Sequence, residues 1–240
     1  MKHLFPFLIL LSAFSCGTKQ AEEKQFEVNY YGALKNMTHK GDIAAKANLK
    51  DLKKSQNLYA LGALENLKGE ILILNSKPFI SVENNEALSI DNTFEHKATL
   101  LVYASVKEWE SSNIPENIIS YEELENHISQ KAKELGIDTE KPFPFLLKGK
   151  AKSFDWHVIN WKDGDTGHSH EKHINSGLNG TATEQEVEIL GFYSNKHHAI
   201  FTHHSTNMHL HVKTTDNRIS GHVDGLTLGK GMTLELSTVN

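Results

Sequence analysis

Met208-His209-Leu210-His211-Val212, followed after a polar break by Ser220-Gly221-His222-Val223, reads as a β-hairpin carrying three histidines. Side chains alternate faces along a strand, so His209 and His211 point one way and Met208, Leu210 and Val212 the other. Between the two strands lies Thr214-Thr215-Asp216-Asn217-Arg218. Asp and Asn tolerate left-handed backbone angles, which makes this a turn. With Asp216 and Asn217 as the central pair, Thr215 falls opposite Arg218 and His211 opposite His222. Directly opposed residues share a face of the sheet, so the three imidazoles converge. Three neutral imidazoles and an open position are the ligand set of a catalytic zinc site. Histidines on one strand face also serve as solvated polar groups of a half-buried sheet, and a lone His-x-His strand is usually that. The third histidine, at a register that closes the triangle, favours the metal. Gly221 agrees, because a glycine within a strand marks close approach of backbone or ligand.

The rest of the chain is concordant with this concentration of imidazole. Eleven of the 15 histidines lie between His157 and His222. Net charge is −5, and no basic stripe runs along the sequence, which argues against nucleic acid as a partner. Arg218 is the sole arginine, so any function that needs a bidentate guanidinium elsewhere must do without one. At the N-terminus, Lys2 and His3 precede an apolar run over residues 4–14, too short to span a membrane as a helix. The run leads into Leu11-Ser12-Ala13-Phe14-Ser15-Cys16-Gly17, the layout of a secretory signal. Small residues before a cysteine resemble a bacterial lipoprotein signal; an ordinary signal peptide that contains a cysteine is the alternative. Residues 1–15 are therefore expected to be a signal peptide. Lipid on Cys16 would anchor the protein to a membrane, facing the periplasm or the cell exterior, with residues 16–25 as a tether. Cys16 is the only cysteine, which leaves no intrachain disulfide and no cysteine-based metal site.

A coarse pass predicts an α+β fold with mostly antiparallel sheet. Residues 26–37 pack on the core. Gly41-Asp42 marks a turn and the start of a helix over residues 43–54. Leu58–Leu64 and residues 71–74 form a hairpin, and strands follow at 78–82 and 98–106. Ser120-Tyr121-Glu122-Glu123 is a capping box that opens a helix through Leu124, Ile128 and Leu135, closed by Gly136. Strand pattern resumes at 143–147, 154–161, 187–200 and 232–236. Residues 163–183, polar and glycine-rich, read as a surface loop in which His168, His170 and His173 bind metal weakly or are merely solvated. His197, His198, His203 and His204 fall near a turn, as surface or outer groups around the site.

From about Val28 to Glu235 the chain resembles the acetolactate decarboxylases. Tyr31-Gly32-Ala33-Leu34 through Gly41-Asp42 is similar to that family's opening. Leu61-Gly62-Ala63-Leu64-Glu65-Asn66-Leu67-Lys68-Gly69-Glu70 looks like its "GTF-x-x-LDGE" stretch, and Gly191-Phe192-Tyr193 like its "GF" strand entry. His209-Leu210-His211, with His222 in Ser220-Gly221-His222-Val223, has the spacing of its "HLH…GGHV" zinc ligands. The resemblance implies a two-lobed domain over residues 26–240, divided near 140–150, with one zinc ion held by His209, His211 and His222. It implies non-oxidative decarboxylation of 2-acetolactate, or a related 2-hydroxy-3-keto acid, to acetoin. The substrate's hydroxyl and ketone oxygens would chelate a Lewis-acidic zinc, and Glu70 would protonate carbon.

Two departures qualify that expectation. The family places a substrate-contacting arginine after a turn similar to Gly149-Lys150-Ala151; here the matching position falls at or near His157, so that His157 or Lys162 could replace the lost charge, or the substrate is held differently. The family also contributes a carboxylate from its C-terminal tail, for which Glu235 is a poor positional match. A non-catalytic, membrane-tethered zinc-binding protein that kept the fold is therefore the alternative, favoured also by the export signal, because acetolactate metabolism is normally cytoplasmic. The expected partner is a small-molecule substrate, and a homodimer is left open.

Overall fold

The structure is a computed structural model that describes residues 26–237. The expected signal peptide, Cys16 and the tether lie outside the described residues. Two antiparallel sheets dominate. The first contains β1 (Asn29–Tyr31), β2 (Ala47–Asn48), β3 (Leu58–Leu64), β4 (Glu70–Leu74), β5 (Lys77–Asn84), β6 (Ala87–Asp91) and β7 (Lys97–Ser105), in the order β1-β7-β3-β4-β5-β6 with β2 paired to β7. The second contains β8 (Trp109–Asn113), β9 (Phe143–Val158), β10 (Leu178–Tyr193), β11 (Met208–Thr214), β12 (Ser220–Thr227) and β13 (Thr233–Ser237), in the order β10-β11-β12-β9-β13-β8. β9 also pairs with β10, so the ladder β9-β10-β11-β12 returns on itself. Three α-helices, α1 (Leu34–Lys40), α2 (Tyr121–Glu134) and α3 (His170–Ile174), and two 3₁₀ turns, Leu49–Leu52 and Glu65–Leu67, complete the described chain. The expected α+β class with mainly antiparallel sheet is the observed one.

Apolar side chains form three layers. Leu61, Ala63, Leu72, Leu100 and Val102 of the first sheet meet Leu146, Leu190 and Phe192 of the second in a shared core. The outer face of the second sheet packs under α2, whose Leu124, Ile128 and Ala132 recur every four residues and are fully enclosed. Burying each large aliphatic side chain there contributes about 1.5–3 kcal/mol. The helix begins where the capping box predicts. Glu123 N donates to Ser120 Oγ over 3.3 Å and Ser120 N donates to the Glu123 carboxylate over 2.9 Å. Gly136, at φ 76°, follows its end. The outer face of the first sheet buries Leu49, Ala60, Ile71 and Leu101.

Several elements differ from the sequence expectation. The helix near residue 41 lies before the glycine. Gly41 takes φ 61° and its N–H reaches Asn36 O and Met37 O, so Gly41-Asp42 ends α1. Residues 43–54 instead contain β2 and a 3₁₀ turn, Leu49–Leu52, capped by the Asn48 side chain. Gly149-Lys150-Ala151 is not a turn. It sits inside β9, paired with residues 185–187 of β10, and Gly149 at φ 122° accommodates a Cβ-free contact with Met232. The expected loop over 163–183 holds α3 and the first residues of β10. The chain passes from one sheet to the other after Ser105, so the expected division near 140–150 falls inside the second sheet.

Candidate metal and active site

The hairpin has the register expected of it: His211 pairs with His222, Val212 with Gly221 and Lys213 with Ser220. The connection, residues 215–218, is two residues longer than a tight turn but symmetric about the same centre, so the pairing is unchanged. Asn217 takes φ 56°. Asp216 fixes the loop by accepting from Thr214 Oγ1 (2.7 Å) and Arg218 N (3.1 Å). Met208, Leu210 and Val212 enter the core under α2, which leaves the histidines on the face toward the first sheet. β12 then pairs with β9, setting His222 directly opposite His157. Gly221 permits this: a Cβ there would stand 2.5 Å from the His157 carbonyl oxygen.

Three ring nitrogens meet on that face. His209 Nε2 is 3.2 Å from His222 Nδ1 and 3.2 Å from His211 Nε2, and His222 Nδ1 is 3.4 Å from His211 Nε2. A tetrahedral zinc with Zn–N bonds of about 2.0–2.1 Å separates its ligands by about 3.3–3.4 Å. The triangle therefore already has the edge lengths of one face of such a tetrahedron. Burial pushes all three imidazoles below the usual histidine range, His209 to about 3, so they are neutral with lone pairs to offer. Among the described residues, these three form the one group of histidines, cysteines and carboxylates converged closely enough to hold a metal ion. The residues fit the ion that the sequence suggested.

Glu70 reaches the triad from the other sheet. It is the first residue of β4, after Gly69, where a Cβ would meet Ser81 O at 2.3 Å. Glu70 Oε2 lies 3.7 Å from His211 Nε2, and Oε1 lies 3.8 Å from His157 Nε2. Ile159 N donates to Oε1 over 3.3 Å. Burial raises the Glu70 carboxyl well above the ordinary carboxylate range, and this outweighs the Ile159 hydrogen bond. His157 is buried beside it, with Nδ1 2.7 Å from Asp224 Oδ2. Asp224 was not singled out in the sequence. It lies two residues past His222, but its role depends on the pairing of β12 with β9, which joins positions 67 apart in sequence.

Glu70, His157, His209, His222 and Asp224 line a cavity of about 530 Å³ between the sheets, together with apolar side chains such as Met37, Leu67, Ile159 and Phe201 and polar ones such as Tyr121, Ser205 and Thr206. No lysine or arginine lines it among the described residues. Lys162, considered as a replacement cation, is exposed and is not part of the lining. Glu235 pairs with Lys148 over 2.9 Å and is likewise outside the cavity. Of the histidines in residues 168–173, His168 and His173 are half-buried, less solvated than expected, while His170 is exposed. His168 stacks on Trp161 (4.3 Å between centroids) and meets His173 at 3.0 Å, while His170 and His173 line the cavity. His203 lines it too.

Comparison with known proteins agrees with this architecture. The sequence model of the Alpha-acetolactate decarboxylase family matches residues 27–240. No curated protein matches the chain. Among solved structures, alpha-acetolactate decarboxylase from Bacillus subtilis strain 168 superimposes with a TM-score of 0.71 at 12% identity, covering 89% of this chain and 86% of that one. The acetolactate decarboxylase of Bacillus subtilis subspecies spizizenii gives 0.71 at 13% identity, covering 88% and 85%. A Staphylococcus aureus protein of unknown function, described as similar to alpha-acetolactate decarboxylase, gives 0.68 at 15%, covering 88% and 84%. Identities this low establish a shared fold, and the sequence match across both sheets goes further: the chain belongs to the alpha-acetolactate decarboxylase family.

Proposed function

We propose that this protein is a zinc-dependent lyase that decarboxylates 2-acetolactate, or a related 2-hydroxy-3-keto acid, without oxidation, giving acetoin or its homologue. The observation that carries the reading is the placement of Glu70, a buried carboxyl from the first sheet, beside a converged histidine triad on the second. His209, His211 and His222 would hold the zinc, which when bound supplies Lewis acidity toward the substrate's adjacent oxygens. Loss of carbon dioxide leaves an electron pair that must become a carbon–hydrogen bond. Glu70 supplies that proton, because burial keeps its carboxyl protonated where ordinary carboxylates are not. His157, oriented by Asp224, faces Glu70 through Nε2 and is placed to pass a proton back to it. The apolar part of the wall, including Met37, Leu67 and Ile159, would limit the access of water to the reacting carbon.

One observation favours the second reading, a zinc-binding protein without turnover: among the described residues, no lysine or arginine lines the cavity to hold a substrate carboxylate. The deciding experiment gives zinc-loaded protein acetolactate and measures acetoin, with His209→Ala as control. Acetoin from the wild type alone supports the lyase; none from fully loaded protein favours the binding protein. We also propose that Cys16 carries lipid and tethers the domain outside the cytoplasm. The support is the order of charged head, apolar run, small residues and cysteine in residues 1–16.

A further inference from the structure

The cavity wall suits a neutral ligand better than an anionic one. Two carboxyl groups line it, Glu70 and Asp224, and among the described residues no side chain of permanent positive charge does. Its hydroxyls, Tyr121, Ser205 and Thr206, are neutral hydrogen-bonding groups. A carboxylate entering such a wall gives up hydration without a fixed cation in return, whereas a neutral hydroxy ketone gives up far less.

The groups for moving a proton are all in place. Glu70 Oε1 lies 3.8 Å from His157 Nε2, and His157 Nδ1 lies 2.7 Å from Asp224 Oδ2. With the Nδ1 proton held against Asp224, Nε2 is the acceptor that faces Glu70. A carboxyl group placed to deliver a proton to carbon is placed to remove one from the same carbon, since both directions share one transition state.

We propose that this site also acts on neutral α-hydroxy ketones, removing and returning the proton on the hydroxyl-bearing carbon. Glu70 first passes its proton to His157 Nε2, where it exchanges with solvent. The carboxylate then takes the proton of the C–H bond. The electron pair of that bond forms a carbon–carbon double bond, and a carbonyl pair moves onto oxygen, leaving an enediolate. Return of a proton to either carbon gives the starting ketol or the isomer with hydroxyl and carbonyl exchanged. No oxidant or co-reactant enters. Such a ligand keeps the adjacent oxygens that the ion of the histidine triad would polarise, and lacks the carboxylate for which the wall has no cation. The inference shares its residues with the reading above and does not require loss of carbon dioxide.

The test follows acetoin by NMR in deuterium oxide with zinc-loaded protein. The methine hydrogen should be replaced by deuterium faster than with free zinc. Glu70→Gln should slow this about 10²–10⁴-fold, and Asp224→Asn about 10–100-fold. A readout without turnover uses the homologue of acetoin in which a methyl group replaces the methine hydrogen. Calorimetry should show that this inert neutral ketol binds the zinc-loaded wild type and both variants, which also reports intact sites. Absence of exchange above free zinc overturns the proposal. So does exchange at the wild-type rate in both variants, and so does failure of the wild type to bind the inert ketol. Acetoin formed from acetolactate without methine exchange would sink this inference and leave the lyase standing. Methine exchange without acetoin from acetolactate would support this inference and remove the lyase.

Discussion

His211 faces His222 because the residues between them can turn only in a narrow range of ways. Turn chemistry at Asp216 and Asn217 sets the centre, and strand alternation does the rest. That part of the site was legible in sequence. Glu70 was visible only through resemblance, and Asp224 was not visible, since its partner His157 is brought to it by long-range strand pairing. At this scale, Glu70→Gln should keep the metal content and shape of the site while lowering turnover of acetolactate about 10²–10⁴-fold, the usual contribution of a positioned acid. Wild-type rates in that variant would place the proton elsewhere. Asp224→Asn should lower turnover about 10–100-fold, as loss of an orienting partner does, with the deep metal still bound by elemental analysis. His173 offers a pH test away from the metal ligands. Burial, then the neighbouring histidines, pushes its ring down to about 4. An unfolded histidine takes its proton near 6.5. The neutral buried ring therefore favours the native state above that pH, and the contribution fades as pH falls from about 6.5 toward 4. NMR titration should show His173 protonating near the lower value; a midpoint near 6.5 would mean that the ring is solvated.

At the scale of elements, the signals that held were those with a stated mechanism at a fixed position. The Ser120 capping box marks the start of α2, and the apolar stripe at Leu124 and Ile128 marks its buried face. Errors arose where one residue type has two uses. Gly41 followed by Asp42 looks like a turn opening a helix, yet a glycine at positive φ also closes one. Gly149-Lys150-Ala151 looks like a surface turn, but Lys150 and the preceding Lys148 lie on the solvent side of β9 and pair with Glu184 and Glu235. β8 is a short edge strand with mostly exposed side chains, so it lacks the apolar alternation that reveals a strand, and β6, at the other sheet's edge, offers only Leu88 and Ile90, both half-buried. Gly221→Ala tests the seam between β12 and β9. The added Cβ would press on the His157 carbonyl at 2.5 Å, so the urea midpoint should fall, by about 1–3 kcal/mol of stability. An unchanged midpoint would show that the strands can part without cost.

For the whole molecule, the fold class followed from the balance of strand and helix signals, while the division into sheets did not. The passage from β7 to β8 has no glycine-rich or proline-rich linker to announce it, and the two sheets share one core. The proposed anchor is testable on the intact cell. A fatty-acid probe should label the wild type and leave Cys16→Ser unlabelled; a mature N-terminus mapped elsewhere would remove the anchor. The separation of Glu70 from the histidines onto different sheets has a further consequence. In the proposed reaction, ion capture would fall to one half of the chain and proton delivery to the other, across most of its length. A change in β4 would then silence the chemistry while leaving the grip on metal intact.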